Sequence, residues 1–167
     1  MNKQFSDKMA ETGFKVFMLI TGGGMSAATE TTRHGGASRW FIGASLPYAG
    51  EVSADYCWDD TSRVSAKAAA EMAWAAPNIH HGIDRVEGNK IVAVCTAKLT
   101  YDGERAGREH AAHLHYMINN TEYSYKLTLQ PGTREEQERA CGNAYCALIL
   151  HHATSDETVT LSGLEQL

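Results

Sequence analysis

Two stretches of the chain are apolar with hardly a polar interruption, residues 14–20 (FKVFMLI) and 90–97 (KIVAVCTA). Runs this short, without alternation, mark strands covered on both faces by helices, and the first is expected as a central parallel strand. Residues 110–118 and 122–130 alternate instead, on either side of Asn119-Asn120-Thr121, which predicts an antiparallel hairpin. Residues 38–46 read as a further strand, with Trp40 and Phe41 at its centre and Pro47 closing it. Helical stretches lie between: residues 25–32, which His34-Gly35-Gly36 ends; residues 65–75, capped by Ser62 or Ser65 and stopped by Pro77; and a long one starting at Thr133. Thr133 with Glu136 three residues on is the capping-box pattern, and that helix is expected to reach about His151. Met72, Trp74, Leu148 and Leu150 are expected on helix faces packed against the sheet. Residues 78–89 read as a surface connection, residues 48–58 carry no decided pattern, and the tail from Ala153 is expected as a short strand or a loose end. Interleaved helices and strands predict an α/β fold, a three-layer α/β/α sandwich around a mixed sheet. At 167 residues one domain is expected, with its core over about residues 14–152.

Charge and composition narrow the functional classes. The formal net charge is -5 and the Lys and Arg residues are scattered, so no basic patch is available to hold a nucleic-acid backbone. No apolar run approaches the roughly 20 residues of a membrane span. The first twelve residues hold Lys3, Asp7, Lys8 and Glu11 and no apolar stretch of leader length, so a cytoplasmic protein is expected. Cys57, Cys95, Cys141 and Cys146 form no Cys-x-x-Cys pair, which reads as reduced thiols, with Cys95 and Cys146 inert in the core. No motif for a metal or an organic cofactor stands out, so none is expected.

The first apolar strand runs directly into Thr21-Gly22-Gly23-Gly24 and then into a helical stretch. A helix N-terminus exposes unpaired N–H groups, and glycines let an anion approach them, so this turn is a candidate seat for a phosphate or carboxylate. It lacks the lysine of a nucleoside-triphosphate loop and the spacing of a dinucleotide fingerprint. A tight structural turn is the alternative.

Thr21-Gly22-Gly23-Gly24, Gly36-Ala37-Ser38-Arg39, Pro47-Tyr48, Val64-Ser65 and Gly132-Thr133-Arg134-Glu135-Glu136 follow one another in an order and spacing that resemble the CinA C-terminal domain family. Active members of that family are nicotinamide-nucleotide amidohydrolases, and the Thr-Gly-Gly-Gly turn is most similar to a divergent subgroup. The resemblance implies a CinA C-terminal-domain-like fold and a small phosphorylated, nucleotide-like ligand, with nicotinamide mononucleotide as the candidate. It assigns ligand contacts to Thr21, Gly22, Gly23, Gly24, Tyr48, Thr96, Arg134 and Arg139. It also implies a homo-oligomer. The family's nucleophilic serine and activating lysine fall here at Leu19 and Ser53, so the catalytic residues are undefined and the Ser/Lys dyad is missing. Three functions follow: a binding module or pseudoenzyme, an amidohydrolase with altered catalytic residues, or a structural or assembly protein, the last favoured if Met25 and Trp40 fill the pocket.

The remaining polar residues are weighed on local geometry. On a strand His113 and His115 share a face while His110 points away, which offers at most two metal ligands. Gly107-Arg108-Glu109-His110 partly echoes a Gly-x-x-His-Arg stretch of the resembling subgroup, which would put His110 at the pocket. Ser26, Ser38 and Ser45 are candidate replacement nucleophiles, though no His/Asp order recommends any of them.

Overall fold

The computed structural model describes residues 3–58, 60–155 and 161–167. In chain order the elements are α1 (Lys3–Thr12), β1 (Lys15–Thr21), α2 (Ser26–Arg33), β2 (Phe41–Ser45), α3 (Gly50–Ala54), α4 (Ala66–Ile79), α5 (Gly82–Arg85), β3 (Lys90–Lys98), β4 (Ala111–Ile118), β5 (Thr121–Thr128), α6 (Arg134–Thr154) and β6 (Leu164–Gln166). The strands form one mixed sheet of order β2-β1-β3-β4-β5-β6. β1 lies parallel to β2 and β3, and the rest of the sheet is antiparallel.

The two uninterrupted apolar runs become β1 and β3, side by side, with Leu19 opposite Val94 and Thr21 opposite Thr96. Alternation along each strand divides their side chains between two cores. Val16, Met18, Ile20, Ile91, Ala93 and Cys95 pack against α1 and α6, while Phe17, Leu19, Val92 and Val94 pack against α4. Both faces of these strands are therefore covered, as a three-layer sandwich requires. Phe5 and Met9 of α1 are buried in the first of these cores, which extends it beyond the expected limit at residue 14.

Local signals place several boundaries. Ser65 caps α4, its hydroxyl accepting the Ala68 N–H at 3.0 Å. Thr133 and Glu136 complete the capping box of α6, with the Thr133 N–H donating to Glu136 Oε2 at 2.7 Å. The β4–β5 hairpin turns on only two residues, Asn119 (φ 47) and Asn120 (φ 72), both in the left-handed region that short hairpins need. Three expectations fail. Pro77 lies inside α4 rather than ending it; the helix gives up the one bond that an N–H at 77 would make to the Ala73 carbonyl and continues to Ile79. Residues 37–39 form a 3-10 turn, so β2 starts only at Phe41, and Trp74 stands 55% exposed instead of packing on the sheet. The tail returns as β6 beside β5, while residues 156–160 lie outside the described residues.

Candidate functional site

β1, β2 and β3 all end at the same edge of the sheet, and the glycine turn leaves β1 there. Gly22 adopts φ +81 and a Cβ on it would lie 2.0 Å from the Ala97 carbonyl oxygen, so only glycine fits this approach to β3. Gly23 and Gly24 sit less tightly, against the Leu99 methyls and Cys95 Sγ, at 3.0 and 3.3 Å from their Cβ positions. The glycines thus dock the turn onto the end of β3.

Two amide donors at the turn, those of Gly24 and Ser26, are already engaged. The Gly24 N–H donates to Glu138 Oε2 at 2.7 Å and the Ser26 N–H to Glu138 Oε1 at 2.9 Å. Glu138 can reach them because α6 passes close to α2, where Gly142, one turn further along α6, has its Cβ position 2.5 Å from Ser26 Oγ. An anion does sit at the start of α2, but it is the chain's own carboxylate. The expectation of a vacant seat at Gly24 is corrected accordingly: a helix N-terminus attracts negative charge from any source, and a glutamate on α6 supplies it.

Beside the turn an open groove of about 680 Å³ remains, floored by Gly22, Met25 and Thr29 and bounded by Tyr48, Arg134 and the two carboxylates Glu135 and Glu138. Arg134 Nη1 donates to the Thr100 carbonyl at 3.1 Å and Nη2 to Tyr48 Oη at 3.3 Å. Arg134 has no carboxylate partner among the described residues, whereas Glu135 is paired with Arg139 at 2.8 Å. The groove therefore carries an uncompensated cation at Arg134 and an anion at Glu138.

Thr100, which orients Arg134, is itself held by a polar network. Its N–H donates to Gln137 Oε1 at 2.7 Å and its hydroxyl to Glu104 Oε1 at 2.7 Å. Gln137 is buried, and its amide nitrogen, which can only donate, lies 3.1 Å from the Gln130 carbonyl and 3.2 Å from His110 Nδ1. His110 Nδ1 must then accept, which leaves its Nε2–H to donate to Glu104 Oε2 at 2.9 Å. Hydrogen bonds from the Thr100 hydroxyl and then from His110 hold the Glu104 carboxyl below its ordinary range. His110 thus supports the groove from behind and does not line it.

Of the residues singled out in the sequence, Gly22, Tyr48 and Arg134 meet at the groove. Thr21 is buried and Gly23 and Gly24 are packed on β3. Thr96 is fully buried and donates its hydroxyl to the Arg63 carbonyl at 2.6 Å, away from the groove, and Arg139 is engaged with Glu135. Leu19 is fully buried in the core under α4, and Ser53, also buried, donates its hydroxyl to the Gly50 carbonyl at 3.0 Å. Met25 lines the groove without closing it, and Trp40 is buried elsewhere, against Phe5 and with its indole N–H on Ser6 Oγ at 3.1 Å. Glu138 carries no sequence signal beyond a place in a charged helical stretch, and only the contact between α2 and α6 reveals it.

The histidines are dispersed. His113 and His115 share one face of β4; burial lowers the pKa of both, and His115 Nδ1 lies 2.8 Å from Ser124 Oγ. Among the described residues no group of three or more His, Cys, Asp or Glu side chains is placed to hold a metal ion, and no helix is long and apolar enough to cross a membrane. Burial pushes the Cys141 thiol up to about 12 and that of Cys95 well above the ordinary range, so neither is a nucleophile near neutral pH.

No family model and no curated protein matches this chain. Solved structures do. A competence or damage-inducible protein from Enterobacter asburiae superimposes with a TM-score of 0.74 over 90% of this chain and 97% of its own, at 11% identity. The competence/damage inducible protein CihA from Agrobacterium tumefaciens gives 0.72 over 89% and 90%, at 17% identity. A competence-damaged protein (CinA) superfamily protein from Escherichia coli gives 0.72 over 89% and 86%, at 14% identity. Likeness at such low identity shows the fold, which is that of CinA-superfamily proteins.

Proposed function

We propose that this CinA-like domain binds a small phosphorylated, nucleotide-like ligand in the groove beside the glycine turn, and that it does not cleave that ligand by a Ser/Lys route. The observation that carries the reading is the Arg134 guanidinium: it is oriented by the Thr100 carbonyl and Tyr48, has no carboxylate partner among the described residues, and opens onto a groove of about 680 Å³. A guanidinium in this state offers charge-assisted hydrogen bonds to a phosphate. Because Gly24 and Ser26 already donate to Glu138, the phosphate contact shifts from the turn to Arg134.

Two further groove residues add selectivity. Glu138 places a carboxylate on the groove wall, and Tyr48, 61% exposed, presents a ring on which a planar base can stack. A positive site and a negative site in one groove suit a ligand with a phosphate and a cationic ring, which describes a pyridinium mononucleotide such as nicotinamide mononucleotide. Leu19 and Ser53 lie where the resemblance puts the nucleophile and its base. A buried leucine, and a serine bonded to its own helix, support binding without hydrolysis by that route.

Titration calorimetry with nicotinamide mononucleotide is expected to give saturable heat, weakened about tenfold or more in Arg134→Ala. Nicotinic acid mononucleotide, with one more carboxylate facing Glu138, is expected to bind less tightly. Absence of heat at millimolar ligand would remove the binding claim, and release of ammonia would remove the claim that no hydrolysis occurs.

A further inference from the structure

Ser45, Tyr56 and His80 are separated by 11 and 24 residues in the chain, yet their side chains form one hydrogen-bonded line. Ser45 Oγ lies 2.9 Å from Tyr56 Oη, and Tyr56 Oη lies 2.8 Å from His80 Nε2. We propose that this line is a proton relay that makes Ser45 an acylatable nucleophile toward unhindered carboxylic esters, a hydrolytic site separate from the ligand groove.

Placement supports it. Ser45 is the last residue of β2, at the carboxyl end of the parallel strands, where open α/β sheets gather their reactive groups. It is partly exposed and can be reached, while Tyr56, 6% exposed, is held by its surroundings. His80 sits at the end of α4, with its backbone N–H on the Ala76 carbonyl at 2.8 Å and its ring 4.8 Å from that of Phe17. A nucleophile linked by hydrogen bonds to an imidazole is the arrangement that serine hydrolysis needs, here with a phenol interposed.

With the His80 proton on Nδ1, Ser45 donates to Tyr56 and Tyr56 donates to His80 Nε2. When Ser45 Oγ attacks an ester carbonyl, a C–O bond forms, the serine proton passes to Tyr56, and the Tyr56 proton passes to His80. Collapse of the tetrahedral adduct breaks the bond to the alcohol, which takes a proton back along the same line. Water then attacks acyl-Ser45, its proton is relayed likewise, and the serine is restored. One ester and one water become one acid and one alcohol.

The test is p-nitrophenyl acetate turnover together with fluorophosphonate labelling, mapped by peptide mass spectrometry on the full chain. An adduct on Ser45 is expected, and its rate of formation should fall about 100-fold in Tyr56→Phe and in His80→Gln, within the range of general-base contributions. Ser38→Ala should label as the wild type does. No adduct on Ser45 in the wild type, or an adduct that forms at the wild-type rate in both Tyr56→Phe and His80→Gln, overturns the proposal, and the first of these outcomes needs no substituted protein. Calorimetry of Ser45→Ala with nicotinamide mononucleotide separates this site from the groove, since ligand binding should survive the substitution.

Discussion

Replacing Glu138 by alanine tests the claim that the chain fills its own anion seat. The substitution removes both acceptors of the Gly24 and Ser26 amides, at 2.7 and 2.9 Å. Hydrogen bonds to a charged group contribute about 1.5–3 kcal/mol each, but this site borders an open groove, where water can replace part of what is lost. A combined loss of about 2–3 kcal/mol is therefore expected. In a domain of this size each kcal/mol moves the melting temperature by about 2–4 °C, so calorimetric melting should fall by about 5–10 °C. The same change should create a binding site. Two freed amides at a helix N-terminus attract phosphate, and at ten times its dissociation constant that phosphate would restore about 1.4 kcal/mol. Inorganic phosphate should thus raise the melting temperature of Glu138→Ala by more than that of the wild type, which offers phosphate Arg134 but not the two amides. If Glu138→Ala melts within about 2 °C of the wild type, or if phosphate stabilises both proteins equally, the carboxylate is not what holds the turn.

Gly22→Ala should cost about 2–5 kcal/mol in chemical denaturation, since the new methyl meets the Ala97 carbonyl 2.0 Å away at φ +81; a near-neutral result would contradict that packing. Leu19→Ser, which puts a hydroxyl where the resemblance expects the nucleophile, should destabilise by about 2–5 kcal/mol because it empties a core site, and should release no ammonia from nicotinamide mononucleotide. Burial, and then the neighbouring His151, lower the pKa of His152 to about 4, and its Nε2 lies 3.1 Å from Tyr125 Oη. The unfolded chain takes up this proton as pH falls through about 6.5, and the folded chain does so only near 4, so stability should drain away across that window. Melting followed from pH 7 to pH 4 should show the loss, and His152→Gln should reduce it.

The alternating and uninterrupted apolar patterns determined the middle of the fold without tertiary information. A strand buried on both faces must be apolar throughout, and an alternating hairpin must have one face unlike the other, so β1, β3 and the β4–β5 pair are written in local order. Capping chemistry is equally local, which is why Thr133 could be read directly and the cap of α4 narrowed to Ser62 or Ser65. The glycine turn was visible for the same reason, and the resemblance already led to the groove residues Tyr48 and Arg134. α1 escaped notice because its short amphipathic stretch carries little signal until Phe5 and Met9 find the core.

Tertiary structure alone decided what the turn does. Whether an exposed amide waits for a ligand or is already satisfied depends on a residue 114 positions away, and Glu138 looks like any other acid on a charged helix until α6 crosses α2. Side chains such as Thr96 and Leu19, which a linear match assigns to a pocket, were likewise placed by the facing of their strands. Hydrogen bonds form between neighbours in space, and the chain's order constrains those neighbours only within a turn or two of helix or across a tight hairpin.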